Sequence, residues 1–408
     1  MRYLTIFLLF AQAAFYGQTR TVLFLGNSYT AANSLPQLTS SIALSFGDTL
    51  IWDNNNPGGY TFELHSTNAN SLSKINAASW DFVVLQEQSQ IPSFPPSQVA
   101  SDCFPYASIL VDSIKSANPC AEPVFFMTWG RENGDQNNCV NYPPLCTYGG
   151  MQARLRESYI QMSQDNLCTV SPVGAAWKYV RDNHPSIGLY SNDGSHPSIY
   201  GSYLAACVHY ATLFKESPVG SPFTSTIGNA DALALQQAAS LIVLDSLENW
   251  RIDANLSQSS FTYQLNGNSA TFDFTGSNSF FFDWDFGDSN YSNDENPTHE
   301  YLNNGTYYIS LITSNNCSAD TTIESITISS LGLNENLSFD FIQHPDFLKI
   351  NFKTSAKRVL SLVDLQGRLL YKKISSDNQL QIPIDHNKMY IFSVNEGGKA
   401  KNIKFFNP

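Results

Sequence analysis

Between residue 21 and about residue 250 the chain alternates short apolar runs with longer stretches of helical spacing. The runs TVLFL (21–25), FVVLQ (82–86), PVFFMTW (123–129) and the weaker TVSPVG (169–174) read as strands buried on both faces. Helical spacing is found at about 35–46, 97–117 and 149–166, and again at about 174–183, 199–214 and 229–250. Parallel strands need a crossover, usually a helix, so this alternation predicts an α/β fold: a parallel sheet with helices on both faces. In such sheets the ligand site lies beyond the carboxyl ends of the strands. Three stretches end a predicted strand in that position: GNSYT (26–30), Gln86–Ser89 and Trp129–Glu132.

The helical spacing stops near residue 250. Residues 258–330 are rich in Ser, Asn, Thr and aromatics, with alternating stretches such as TYYISLIT (306–313), and predict a small antiparallel β-sandwich. A second β-rich unit follows over 338–408, with FLKINF, RVLSLVDLQGRLLYKK, QLQIPI and MYIFSV as strands and a hairpin turn at Asp364–Gly367. The net charge of −13 conceals an asymmetry. Residues 349–408 hold 11 Lys and Arg against 4 Asp and Glu, a net of +7, which leaves −20 on the remainder. The sign change marks a domain boundary, and an acidic main body argues against nucleic acid as a partner. The chain therefore divides into 1–18, 19–255, 256–330 and 331–408.

Residues 1–18 read as an export signal, with Arg2 before a mostly apolar stretch from Leu4 to Ala14. That stretch is shorter than the ~20 residues a membrane-spanning helix needs, and no other stretch is long enough. The expected location is secreted or at the cell surface. The seven cysteines fit an oxidising compartment, with Cys139–Cys146 and Cys103–Cys120 as expected pairs and Cys207 as a buried thiol. No CxxC motif, P-loop or HExxH occurs, so neither a metal nor another cofactor is expected.

Ser28 stands at the tip of the first predicted strand. A serine hydroxyl is a weak nucleophile and needs a base, ordinarily a histidine oriented by a carboxylate. DGSHPS (193–198) offers both, because Asp193 and His196 are three residues apart in a turn before a helix. Pro197 holds His196 out of helical geometry, and Ser198 suits an N-cap. Acyl transfer also needs hydrogen-bond donors for an oxyanion. The Ser28 N–H is one. Gly58-Gly59 lets a backbone N–H approach a ligand closely, and Gln86 or Gln88 could supply a side-chain amide. Asn27, Gly58, His65, Gln86, Trp129 and Arg131 could contact substrate. Glu87 competes with Asp193 as the acid, without spacing in its favour, and His209 in mid-helix reads as structural.

GNSYT, the glycines at 58–59, WDFVVLQEQSQ (80–90) and DGSHPS resemble, in order and separation, the four blocks of the SGNH/GDSL hydrolase superfamily over about 21–215. The resemblance implies Ser28 as nucleophile, His196 as base and Asp193 as orienting acid. It also implies Gly59, or Gly58, as an oxyanion donor. The family's GxND block is replaced by LQEQSQ, so either glutamine, Gln88 first, stands in for its asparagine. Asn27 replaces the aspartate of GDSL. WDFGDSNYSNDENPTHEYLNNGTYYISLIT (284–313) resembles a PKD domain, an Ig-like spacer or binding module without catalytic residues. Its aspartates at 283, 285, 288 and 294 read as solvated turns, since their spacing is not that of a calcium-binding EF-hand loop. Residues 338–408 resemble a type IX secretion C-terminal sorting domain, which implies export machinery as a partner.

These readings predict a serine esterase that removes an acyl group, acetyl first, from a small molecule or polysaccharide. A lipase predicts activity rising with acyl length and lacks an apolar lid in the sequence. The competing class is a non-catalytic surface protein that binds carbohydrate or protein on a hydrolase scaffold, favoured by the missing GxND block.

Overall fold

The computed structural model describes residues 17–329, 339–365, 367–397 and 399–407. Most of the expected export signal, residues 1–16, lies outside them. The chain forms two compact units that meet between Leu256 and Ser257 in the sequence.

The first unit is an α/β layer structure. Its strands are β1 (Thr19–Leu25), β2 (Thr49–Asn55), β3 (Phe82–Leu85), β4 (Glu122–Phe126) and β5 (Thr169–Ser171). They are all parallel and ordered β2-β1-β3-β4-β5. This is the doubly wound order, with the switch point between β1 and β3. Strand β2 has no counterpart in the apolar pattern. It is an edge strand, and most of TLIWDNN is half-buried or exposed, so it lacks the continuous apolar run that marks the inner strands.

Among the described residues ten α-helices accompany the sheet: α1 (Ser28–Ala31), α2 (Leu35–Ser45), α3 (Phe62–Thr67), α4 (Ala69–Ile75), α5 (Pro96–Asp102), α6 (Phe104–Ala117), α7 (Tyr148–Asn166), α8 (Val173–Asn183), α9 (Ile199–Phe214) and α10 (Asn229–Leu244). The helix expected over 97–117 is broken at Cys103, whose φ/ψ of −126°/−60° leaves the helical region just ahead of Pro105. Helices α2, α8, α9 and α10 pack together, and α3, α4 and α5 pack on α6. Val22–Leu25, Val83–Leu85 and Val124–Phe126 are almost fully removed from solvent. At roughly 1.5–3 kcal/mol per buried large apolar side chain, these three strands contribute substantially to the unit's hydrophobic stabilisation, together with the buried faces of the helices.

Cys139 and Cys146 form a disulfide. The expected Cys103–Cys120 pair does not form, because Cys103 is a free, buried thiol against the Met162 sulfur. Cys207 is also a buried thiol.

In the second unit, residues 261–328 form a β-sandwich of a three-stranded and a four-stranded antiparallel sheet. Trp284 and Phe286 point into its core, and Tyr301 packs on Tyr307 at 4.3 Å between ring centres. Asp288 is not simply a solvated turn residue, because it accepts a hydrogen bond from His299 Nε2 at 2.8 Å. Residues 339–407 form another pair of antiparallel sheets around a separate apolar core. Their hairpin joins Arg358–Asp364 to Leu369–Ser375 and is closed by Gly367 N–H to the Asp364 carbonyl. Among the described residues no helix is long and apolar enough to cross a membrane.

Candidate active site

The register of the sheet brings the first strand ends together. Leu25 is paired with Asn55 on one side and Leu85 on the other. Gly26, Gln86 and the turn after Asn55 therefore emerge side by side. Gly26 is required there by space: a Cβ would lie 2.4 Å from Thr30 Oγ1 and 2.8 Å from Gln86 Oε1. The chain then turns into α1, with Asn27 as its cap: Asn27 Oδ1 accepts the Tyr29 N–H at 3.1 Å. Ser28 is the first helical residue, so its N–H has no intrahelical acceptor.

Ser28 Oγ lies 2.9 Å from His196 Nε2, although the two residues are 168 apart in the chain. His196 Nδ1 lies 2.5 Å from Asp193 Oδ2. A carboxylate only accepts, so Nδ1 carries the proton and Nε2 is left to accept from the serine hydroxyl. The other Asp193 oxygen accepts the N–H groups of Ser195 (3.0 Å) and His196 (2.9 Å). Burial alone would raise the Asp193 carboxyl. The bonds from His196 and from the two N–H groups outweigh it and hold the carboxyl below its usual range. Ser198 is indeed the N-cap of α9, accepting from Tyr200 and Gly201 N–H. DGSHPS is thus both a helix start and the mount of the imidazole.

The remaining candidates separate by what they touch. Gln86 is fully buried. Its oxygen accepts the Asn27 N–H (3.0 Å) and the Thr30 hydroxyl (2.9 Å), and its amide donates to the Glu87 carbonyl (2.6 Å). Gln88 is half-buried, and its oxygen accepts the N–H groups of Gln90 and Ile91 while its amide donates to Gln90 Oε1 at 3.1 Å. Gly58 and Gly59 lie exposed in a turn closed by Tyr60 N–H to the Pro57 carbonyl. Gly59 has φ +73°, a region most side chains avoid. Asn27 Nδ2 donates to the Tyr60 carbonyl at 2.9 Å, which ties this turn to the nucleophile's own loop.

His65 is fully buried. Its Nε2 donates to the Gly26 carbonyl (2.8 Å), and its Nδ1 meets Ser71 Oγ (2.8 Å). Burial lowers its pKa, against a smaller opposite effect of the Gly26 bond, so it braces the serine turn as a neutral ring. Arg131 reaches Asp135 at 3.3 Å, and Asp135 in turn accepts from Gln90 and Asn138. Trp129 is buried, stacked between Tyr29 (4.7 Å) and Trp177 (3.9 Å).

Two further groups were not singled out for these roles by the sequence. Tyr29 and Ser195 meet hydroxyl to hydroxyl at 2.6 Å. The pairing has no linear signal, because each is simply the residue next to a candidate catalytic one. Glu87 is buried and accepts the Phe62 N–H (3.0 Å) and Gln88 N–H (2.5 Å), joining the glycine turn's helix to the glutamine loop. Burial pushes its carboxyl up to about 8, against those bonds.

Residues 259–329 match the family model of the PKD domain. A search of curated proteins gives no match. Solved structures similar to the chain include a DUF4886 family protein from Bacteroides uniformis, 18% identical, over 57% of this chain and 95% of that one, with a TM-score of 0.47. A candidate SGNH hydrolase from Slackia heliotrinireducens is 28% identical over 47% of this chain and 98% of its own, with a TM-score of 0.39. A psychrotrophic esterase from a Pseudoalteromonas species is 18% identical over 48% and 97%, with a TM-score of 0.33. The parallel strand order described above defines the fold of the first unit, and residues 259–329 are similar to a PKD domain.

Proposed function

We propose that the first unit is a serine hydrolase acting on carboxylic esters, with Ser28 as nucleophile, His196 as general base and Asp193 as its orienting acid. The observation that carries this reading is the unbroken chain of contacts from Ser28 Oγ to His196 Nε2 and from His196 Nδ1 to Asp193 Oδ2. In the first step Ser28 Oγ attacks the acyl carbonyl and its proton passes to His196 Nε2. The carbonyl oxygen becomes an oxyanion, stabilised by the N–H groups of Ser28 and Gly59 and by an amide of Gln88, freed from Gln90 when substrate binds. Collapse expels the alcohol, which takes the proton from His196. Water then hydrolyses the acyl-enzyme by the same path in reverse. Substrate and water balance the reaction.

The natural substrate in this reading is a short acyl ester, acetyl first, on a carbohydrate. Support comes from exposure: 42% of the His196 side chain and 49% of the Asp193 side chain face solvent. An open rim of this kind accommodates a bulky alcohol portion. The Cys139–Cys146 disulfide supports an oxidising, extracellular setting. The unit at 339–407 is proposed as the export determinant and the PKD-like sandwich as a spacer or binding module. Hydrolysis of p-nitrophenyl acetate by wild type and Ser28→Ala tests the reaction. Loss of turnover in the variant is expected, and equal rates would overturn the reading in favour of a binding protein. A series of acyl lengths, and then acetylated sugars, tests the substrate class: activity rising with chain length would replace it by a lipase.

A further inference from the structure

The candidate nucleophile and base are joined twice. One link is the Ser28–His196 contact. The other runs through their chain neighbours, from the Tyr29 hydroxyl to the Ser195 hydroxyl at 2.6 Å. Ser195 is held at three atoms: its N–H by Asp193 Oδ1 (3.0 Å), its hydroxyl by Tyr29, and its carbonyl by Trp129 Nε1–H at 3.0 Å. Tyr29 is itself fixed. It is 3% exposed, stacked parallel on Trp129, and its ring meets the His196 ring edge-on at 5.3 Å. Trp129 is in turn stacked on Trp177, which α8 supplies.

This arrangement answers a mechanical problem. The Asp193–His196 turn is half-exposed, and a surface turn on its own would let the imidazole wander. A hydroxyl pair backed by three stacked rings fixes the residue preceding His196, and so the direction in which Nε2 points. The anchor is the residue that follows Ser28, so both members of the catalytic pair are referred to one buried ring. We infer that Tyr29 is a positioning residue: its hydroxyl, through Ser195, sets the His196 imidazole against Ser28 Oγ. Trp129 is then a brace behind the base and not a substrate contact. The inference rests on the esterase reading and goes beyond it, because it assigns work to hydroxyls outside the Ser28–His196–Asp193 chain of contacts.

The test is the rate at which Ser28 is labelled by a fluorophosphonate, in the full chain, for wild type, Tyr29→Phe, Ser195→Ala and the double variant. Labelling forms an Oγ–P bond and expels fluoride while His196 takes the serine proton, so it reads the base without depending on the natural substrate. Tyr29→Phe keeps the stacked ring and removes one oxygen. It is expected to slow labelling about tenfold, and to lower kcat for p-nitrophenyl acetate similarly with KM unchanged, since mispositioning the base acts on the transition state. Ser195→Ala is expected to match it. The double variant is expected to be no slower than either single one, because both remove the same bond. Thermal midpoints serve as the control for folding. A Tyr29→Phe protein that labels at the wild-type rate, or a double variant that loses the product of the two single effects, overturns the inference alone. A wild type that is not labelled at Ser28 overturns the esterase reading and the inference with it.

Discussion

The two halves of the candidate site are held by different physics. The serine turn is built from buried polar groups: Asn27, Gln86 and His65 are at most 3% exposed, and each spends its hydrogen bonds on neighbouring backbone or side chains. The Asp193–His196 turn stands half in water and is fixed by its own backbone and by the rings behind Ser195. Buried polar groups are expensive to leave unpaired, so the serine side is rigid at the level of stability. The histidine side is expected to lose a side chain at a smaller cost in stability. In the proposed reading, position and protonation thus fall to different regions: one half would carry the nucleophile on a fixed frame, and the other would exchange protons at the surface.

The largest effect that would sharpen this contrast is on rate. Ser28→Ala and His196→Ala are each expected to lower turnover of p-nitrophenyl acetate by roughly 10⁴-fold. For His196→Ala the shift in unfolding free energy should stay within about 1 kcal/mol, as for loss of a half-exposed ion pair. A collapse of stability in that variant would break the comparison.

Next comes the frame. Gln86→Ala leaves the Asn27 N–H and the Thr30 hydroxyl without their buried acceptor, and about 2–4 kcal/mol should be lost in urea unfolding. A loss near zero would mean that the serine turn is not over-determined.

The Glu87 carboxyl gives a pH signature of the same frame. Its folded-state pKa of about 8 lies above the ordinary carboxylate value of about 4.3. Between those values the unfolded chain has released this proton while the folded chain keeps it, so this group's contribution makes stability fall as pH rises through the window and level off above it. Glu87→Gln removes that contribution. The stability difference between variant and wild type should grow from pH 5 to pH 8 by on the order of 3–4 kcal/mol, measured by urea midpoints at each pH. A constant difference would show that Glu87 is already ionised. His209 contributes with the opposite sign. Burial lowers its pKa to about 3, so its contribution is lost as pH falls through the window below the ordinary histidine value. The comparison with Glu87→Gln cancels it.

The smallest effect concerns the glycine turn between the halves. Gly59→Ala places a Cβ at φ +73° and should cost about 1 kcal/mol by strain alone, since nothing lies within reach of that Cβ. An activity loss well beyond what that destabilisation explains would support Gly59 as an oxyanion donor.

Much of this architecture could be read from the chain, and the failures are instructive. The four strands of the apolar pattern are present because strands buried on both faces must be apolar throughout, which is visible without context. The edge strand β2 escaped because its residues face water at many positions. Helices α3 and α4 are only six and seven residues long, too short to establish a period. The candidate nucleophile, base and acid could be proposed because their residue types are constrained by chemistry and their order and separation resemble those of a known superfamily. Tyr29 with Ser195, and Gln86 as a frame residue, could not. Their roles depend on which strand end meets which loop, and that is decided by register. The Cys139–Cys146 bridge spans only seven residues and was legible. The Cys103 pairing failed because burial, not spacing, decides that thiol's fate.

The separation of 168 residues between Ser28 and His196 has a consequence for how such a protein comes to life. Emerging from the ribosome, the chain carries Ser28 long before His196, and the two side chains can meet only once the segment around residue 196 has been synthesised and laid against the sheet. A fragment that ends before that segment lacks the contact on which the proposed reaction depends. In the proposed reading, turnover would therefore double as a clock for maturation of the first unit: the first hydrolysed ester would report that its opening strand and late turn have met.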